Sequence, residues 1–300
     1  MATVYDHITA NRVKTWVIMG LFSLFVFVVL TVFASAMGLT SESGIGFLGI
    51  GFIIIGIINF FSYYYSDKMV LGISGAKPIA KKDAPELYRV VENICIASGQ
   101  PMPKVYLMNE TAPNAFATGR DPKHAAVAVT RGLLEYLDRD ELEGVIGHEL
   151  SHIKNYDTRL MSIVAILVGT VALLADWFMR MQFFGGSRDR ERGGSLILIV
   201  AMIMAVLAPI VGMLIQLAIS RRREFLADAS SALLTRNPNS LADALTKIDK
   251  NTTPLRSVST ATAHLFIANP FKERGMTSAI AKFFSTHPPV SERVALLRAM

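Results

Sequence analysis

The sequence predicts a multi-pass α-helical membrane protein that carries an α+β domain. Three observations lead there. Of 300 residues, 52% are hydrophobic and only 18% are charged, where soluble domains carry about 25% charged residues. The charges are missing in four blocks, of which the first, second and fourth are long enough to be membrane segments and the third is marginal. The intervening stretches alternate helical periodicity with short strand-like runs. This composition excludes disorder, a collagen-like repeat and a disulfide-stapled secreted module, and a mean hydropathy of +0.41 argues against a purely soluble globule. Cys95 stands alone, so no internal disulfide can form, and it reads as a small apolar helix residue.

The apolar blocks come in order along the chain. Lys14 and Glu42 enclose 27 uncharged residues, and Glu42 and Asp67 enclose 24. Arg159 and Asp176 enclose 16, followed by Trp177 and Phe178, and Arg192 and Arg221 enclose 28. About 20 apolar residues span the hydrocarbon core. The third block therefore crosses only if Asp176 sits at the interface, where an aspartate costs far less than at the midplane. Ala34-Ser35-Ala36 resembles a signal-peptide cleavage site, but the apolar run before it exceeds the usual h-region and a second block follows at once, so an uncleaved anchor is expected.

Net charge is +6. Sorted by segment, Lys and Arg number two in residues 1–14, twelve in 65–159 and twelve in 221–300, with Arg180, Arg188, Arg190 and Arg192 in the third loop. The positive-inside rule places the N-terminus and both large segments on the cytoplasmic side. The four loop arginines disagree with an external position, which leaves a second full hairpin or a shallow, buried one.

Between the blocks, residues 84–98 read as a helix ending at Gly99. Lys104–Asn109, Ala115–Gly119 and Ala125–Thr130 are strand candidates. A helix from Arg139 to Asn155 follows, with Asp138 as N-cap. Residues 222–235, 239–249 and 290–299 are expected to be helical. The domain reading is an N-terminal membrane hairpin (1–66), a first part of the α+β domain (67–158), a second membrane hairpin (159–220) and a second part (221–300).

The chemistry is concentrated in Gly147-His148-Glu149-Leu150-Ser151-His152. On a helix, His148 and His152 are i and i+4, so both imidazoles leave one face and can share a Zn²⁺. Glu149 stands beside them, placed to take a proton from a water activated by that ion. Zinc still needs a third protein ligand, a carboxylate or histidine from downstream. Glu224 and Asp228 are again i and i+4, within an otherwise apolar run, Phe225-Leu226-Ala227. Glu224 could ligate while Asp228 accepts the free N–H of a ligating histidine. Both motifs lie hard against apolar blocks, about 10 Å and 5 Å of helix away, so a hairpin of blocks three and four would bring them together. His7, His124 and His264 lack ligand spacing and read as structural. Ala201/Ala205, Ala208/Gly212 and Pro209 in the fourth block read as packing features.

Together, His148-Glu149-x-x-His152, Glu224-Phe-Leu-Ala-Asp228, Asn114-Ala-Phe-Ala-Thr-Gly119 and Thr286-His-Pro-Pro resemble the motifs of the HtpX family of bacterial membrane-bound zinc metalloproteases, itself similar to the CAAX prenyl proteases. The resemblance covers essentially the whole chain. It implies a gluzincin-like zincin domain with one Zn²⁺ per chain on His148, His152 and Glu224, and Glu149 as general base. It further implies that Asn114, Ala115, Phe116, Ala117, Thr118 and Gly119 form an edge strand holding the substrate backbone by β-augmentation; the plainer reading is an ordinary strand. His287 would help stabilise the oxyanion, and Arg293, six residues on, is a candidate for supporting the site. The activity implied is cleavage of misfolded or damaged membrane proteins at the cytoplasmic face of a bacterial inner membrane, in protein quality control. Partners are then membrane-protein substrates and the lipid bilayer. Two other readings compete: a silent membrane scaffold with a structural zinc, which would not need Glu149, and a nucleic-acid binder, which the placement of charge at membrane edges (Arg221-Arg222-Arg223) disfavours.

Overall fold

The structure, a computed structural model, describes residues 4–36, 41–184, 221–255, 261–268 and 288–300. The fourth apolar block, from 195 to 220, and His287 lie outside the described residues.

The first two apolar blocks form α1 (Val4–Ala36) and α2 (Ser41–Ile73), each of 33 residues. Within them, Thr9–Thr31 and Glu42–Ile73 are long and apolar enough to cross a membrane. The two helices are tied together by a Trp16–Tyr63 ring stack at 5.4 Å and by Asn59, whose amide donates to Ser23 Oγ at 2.7 Å. Their outer faces leave Leu24, Phe52, Ile53, Ile57 and Phe60 exposed. Helix α2 continues past residue 66 to Ile73.

Next come β1 (Lys77–Pro78), α3 (Pro85–Ser98), β2 (Lys104–Met108), β3 (Ala115–Gly119) and β4 (Ala125–Thr130). Gly99, at φ 67°, ends α3 in the left-handed conformation that glycine adopts without strain. The sheet order is β1-β2-β4-β3, with β2 and β4 parallel and both outer pairs antiparallel. All of β3 and β4 is buried, because both faces of the sheet are covered. Val105, Ala115, Val127 and Val129 pack toward α3 and the helices beyond it, whereas Met108, Phe116, Ala126 and Ala128 pack toward the end of α2. That explains why AFATG and AAVAVT are continuous apolar runs rather than alternating ones.

Helix α4 (Arg131–Tyr136) leads to α5 (Arg139–Lys154), the helix of the His148/His152 motif. Asp138 caps it as expected, accepting from Glu141 N–H while Glu141 returns the bond to Asp138 N–H. The chain then turns by 82° into α6 (Asp157–Phe184). The turn rests on Tyr156 at φ 59°, a conformation that costs a non-glycine residue about 1–2 kcal/mol. Its ring is held between the guanidiniums of Arg12 and Arg159, 4.7 Å and 4.9 Å from the centroid. Leu160, Ile163, Val164, Leu167 and Val168 of α6 pack with Ile18, Met19 and Phe22 of α1.

The remaining helices are α7 (Arg221–Thr235), α8 (Pro238–Lys250) and α9 (Val290–Arg298). Helix α5 presents Gly144 and Gly147 to α7 and α8. A Cβ at Gly144 would lie 2.8 Å from Leu241 N, and one at Gly147 would lie 2.7 Å from Ser231 Oγ. The close approach is sealed by Ser231, whose hydroxyl donates to Gly144 O at 2.6 Å. Gly144→Ala is expected to push α8 off α5, costing about 1–3 kcal/mol by overpacking. Thermal unfolding in detergent checks this, and an unchanged midpoint would contradict it.

Candidate metal centre

The small residues on α5 let α7 lie against it, and this brings the two halves of the sequence motif together. Glu224, Asp228 and Ser231 occupy i, i+4 and i+7 of α7 and face α5. His148, His152 and Glu224 each offer one ligand atom, all within 4.8 Å of one another and all buried. His148 Nε2 is 3.1 Å from His152 Nε2 and 3.7 Å from Glu224 Oε2. His152 Nε2 is 3.4 Å from Glu224 Oε1. Ligands at about 2.1 Å around a tetrahedral zinc are separated by about 3.4 Å, so this spacing fits the ion.

The hydrogen bonds behind the ligands fit it too. His148 Nδ1 is 2.9 Å from Asp228 Oδ1, and His152 Nδ1 is 2.9 Å from Asp157 Oδ2. A carboxylate that takes the Nδ1–H of a ligating histidine leaves its Nε2 lone pair for a metal. The structure thus places Asp228 against His148. Asp157, at the first turn of α6, is its counterpart for His152.

Arg293 on α9 is fully buried. It donates to both oxygens of Asp228, Nε to Oδ2 at 2.8 Å and Nη2 to Oδ1 at 2.6 Å. Its Nη1 lies 3.8 Å from Glu224 Oε2 and has no hydrogen-bond partner among the described residues. Burial opposes the charge on Arg293, but Asp228, Glu224 and Glu149 outweigh it and hold the guanidinium ionised. Burial likewise opposes the charge on Asp228, and Arg293 and His148 overcome this and keep its carboxyl below the usual range. Desolvation drives His148 down to about 4 against the pull of Asp228, with Arg293 adding to the fall. Burial would lower His152 as well, yet Asp157 and Glu224 raise it to about 10. Buried at the site are the carboxylates of Glu149, Asp157, Glu224 and Asp228, and the guanidiniums of Arg223 and Arg293.

A third layer ties the site to the first apolar helix. Asn11 of α1 donates from Nδ2 to Asp157 Oδ1 at 2.7 Å and to Asn155 O at 3.0 Å. Arg223 Nη1 reaches Asn11 Oδ1 at 3.3 Å and Asp157 Oδ1 at 3.5 Å. Sequence reasoning missed Asn11, Asp157 and Arg223. Asp157 had a signal, a carboxylate five residues after a ligating histidine; Asn11 had none. Asn11→Leu is expected to weaken metal binding about tenfold, because partners behind a ligand govern its orientation. Competition with a chelator measures this, and unchanged affinity would rule out the link.

Strand β3 is at the end of the sheet. Thr130 N–H donates to Asn114 O at 2.9 Å, so antiparallel alternation turns residues 114, 116 and 118 toward β4 and 115, 117 and 119 outward. The outward edge is partly covered. Ala115 O accepts from Ile267 N–H at 3.0 Å, Asn114 binds Ala268 on both sides of its amide, and Thr158 donates to Gly119 O at 2.9 Å. Ala117 is the outward residue between them. His264 is buried with Nε2 at 3.1 Å from Met161 O, and His124 bonds Asp121; neither approaches the metal ligands, as expected of structural histidines.

Comparison with known proteins agrees with this geometry. The model of the family described as "Peptidase family M48" matches residues 81–300. The "Protease HtpX homolog" of Dictyoglomus thermophilum is 44% identical over 99% of this chain and 95% of its own. The homolog of Thermococcus kodakarensis is 51% identical over 80% of this chain and 82% of its own. That of Streptococcus gordonii is 42% identical over 99% of this chain and 100% of its own. Among solved structures, the crystal structure of Ste24p from S. mikatae aligns with a TM-score of 0.50 and 17% identity over 95% of this chain and 67% of that one, a likeness of fold. With the family match running from α3 to the last residue and relatives similar from end to end, the chain belongs to peptidase family M48 and, within it, to the HtpX proteases, and is a metalloprotease.

Proposed function

We propose that this metalloprotease is a zinc-dependent endopeptidase of the membrane, acting on misfolded or damaged membrane proteins at the cytoplasmic face of the bacterial inner membrane. The observation that carries the reading is the buried convergence of His148, His152 and Glu224 beside Glu149, bonded through Asn11 to an apolar helix of membrane length.

In this reading His148, His152 and Glu224 hold the zinc, in a gluzincin-like arrangement with one ion per chain. When bound, zinc supplies Lewis acidity that polarises the scissile carbonyl and makes the attacking water more acidic. Glu149 takes the proton of that water and delivers it to the leaving amine. Asp228 and Asp157 fix the tautomers of the two histidines. Arg293 holds Asp228 in place and keeps positive charge next to Glu224. The substrate backbone pairs with β3 around Ala117, since the Asn114–Ala115 end is taken by Ile267 and Ala268. His287 stays a candidate for stabilising the oxyanion.

The topology that fits is multi-pass. Helices α1 and α2 (within residues 1–66 and just beyond) form one hairpin, and residues 159–220 form a second that divides the protease domain into 67–158 and 221–300. The packing of α6 on α1 and α2 is what supports a crossing third segment. The N-terminus, C-terminus and site then share the cytoplasmic side.

The test is cleavage of an unfolded membrane protein by this chain in proteoliposomes. Activity is expected to vanish on dialysis against a chelator and to return with zinc. Cleavage that survives complete metal removal, shown by elemental analysis, would overturn the reading.

A further inference from the structure

A second built feature lies away from the metal, where α2 leaves its apolar run. Between the end of α2 and the turn joining β3 to β4 is a cavity of about 510 Å³. Phe60 and Tyr64 form its apolar side, and Lys68, Lys104, Arg120 and Lys123 bring four cations to it. Asp67 is the carboxylate in its lining. Asp121, nearby, accepts from the backbone N–H groups of Lys123 and His124 and pairs with the His124 ring. It also lies 3.4 Å from Arg120 Nε.

Two of the cations are oriented by aromatic rings. The Arg120 guanidinium lies 5.3 Å from the Tyr64 ring centroid and donates through Nη1 to Tyr64 O at 3.2 Å. Lys68 Nζ lies 5.0 Å from the Tyr65 ring centroid. Such contacts leave the outer N–H groups of the guanidinium and ammonium available to an anion while fixing where they stand. The cavity also continues a surface. Exposed Ile53, Ile57, Phe60 and Phe61 run along α2 toward Tyr64 and Tyr65 and then to Lys68. From Phe60 to Lys68 the helix rises about 12 Å. Apolar side chains give way to tyrosines and then to cations, the sequence of environments a phospholipid presents from acyl chain through interface to phosphate.

We propose that this cavity binds the phosphate-bearing headgroup of an anionic phospholipid, with the acyl chains lying along Ile53, Ile57 and Phe60. Arg120 and Lys104 face the phosphate, Lys68 and Lys123 close around it, and the tyrosine rings sit at the glycerol level. None of these residues belongs to the metal centre, so occupancy and zinc binding are separable.

Native mass spectrometry of the full chain in detergent tests the proposal, with phosphatidylglycerol and phosphatidylcholine of equal chains added in equal amounts. Each cation near an anionic headgroup is worth about fivefold in binding. The wild type is therefore expected to retain phosphatidylglycerol over phosphatidylcholine, and K68Q/K104Q/K123Q is expected to lose that preference at unchanged zinc content. Equal retention of both lipids by the wild type would overturn the proposal. So would a triple variant that keeps the full preference. Inorganic phosphate is the third arm: if it displaces phosphatidylglycerol at millimolar concentration, the site is for free phosphate and the lipid assignment falls. Undisturbed lipid in its presence supports the lipid as the source.

Discussion

Glu149→Gln is expected to leave the zinc content of the purified chain unchanged and to lower proteolysis by about 10²–10⁴-fold, the usual contribution of a positioned general base. The glutamine is isosteric and polar, so the buried position keeps its volume and much of its hydrogen bonding. What it loses is the ability to accept a proton. The three metal-facing atoms belong to other residues, His148, His152 and Glu224, which is why metal and activity should separate. Elemental analysis and cleavage of one membrane-protein substrate, run on the same preparation, make the comparison. A variant that cleaves at the wild-type rate would remove Glu149 from the base role, and one that loses both zinc and activity would make Glu149 part of the metal cage instead.

Arg293→Met is expected to give the largest loss of stability of any single change at the site, about 3–5 kcal/mol, the typical cost of removing one partner of a buried ion pair. Methionine fills much of the same space, so the effect comes from charge. Asp228 would keep its bond to His148 but lose both bonds from the guanidinium, and Glu224 would lose the nearby positive charge. For a chain of this size the unfolding midpoint should fall by roughly 10 °C. Arg293→Met combined with Asp228→Leu removes both charges together. The pair should recover much of the midpoint without recovering zinc affinity, because His148 then lacks its carboxylate. A single variant that unfolds with the wild type, or a double variant no more stable than the single, would contradict this account.

Much of the site was legible because its motifs are local. His148 and His152 share one helical face by spacing alone, and so do Glu224 and Asp228. The capping box of Asp138 and Glu141 is equally local, as is the left-handed stop at Gly99. The three longer strands were readable as apolar runs between turn signals. The two-residue β1 was not, because Lys77-Pro78 carries no periodicity and forms only by pairing with Tyr106 and Leu107. The bond between Asn11 and Asp157 joins residues 146 positions apart, and no local pattern announces it. The role of Gly144 and Gly147 was hidden for the same reason. Their spacing is ordinary in a helix, and it acquires meaning only when α7 and α8 are placed against them. Covering of the β3 edge by Ile267 and Ala268 also depends on a contact between distant segments, so the strand reads as open in sequence and is half-closed in space.

The bond from Asn11 to Asp157 has a consequence for how the chain is made. Its polar network draws on residue 11, then on 148–157, then on 223–228, and last on Arg293. Arg293 follows Asp228, the carboxylate it holds, by 65 positions. During synthesis the histidines emerge long before the carboxylates of α7, and the arginine that steadies Asp228 emerges later still. A nascent chain therefore cannot complete this site. A hydrolase built this way has no complete site until α1, α5, α7 and α9 have all been made and have packed together.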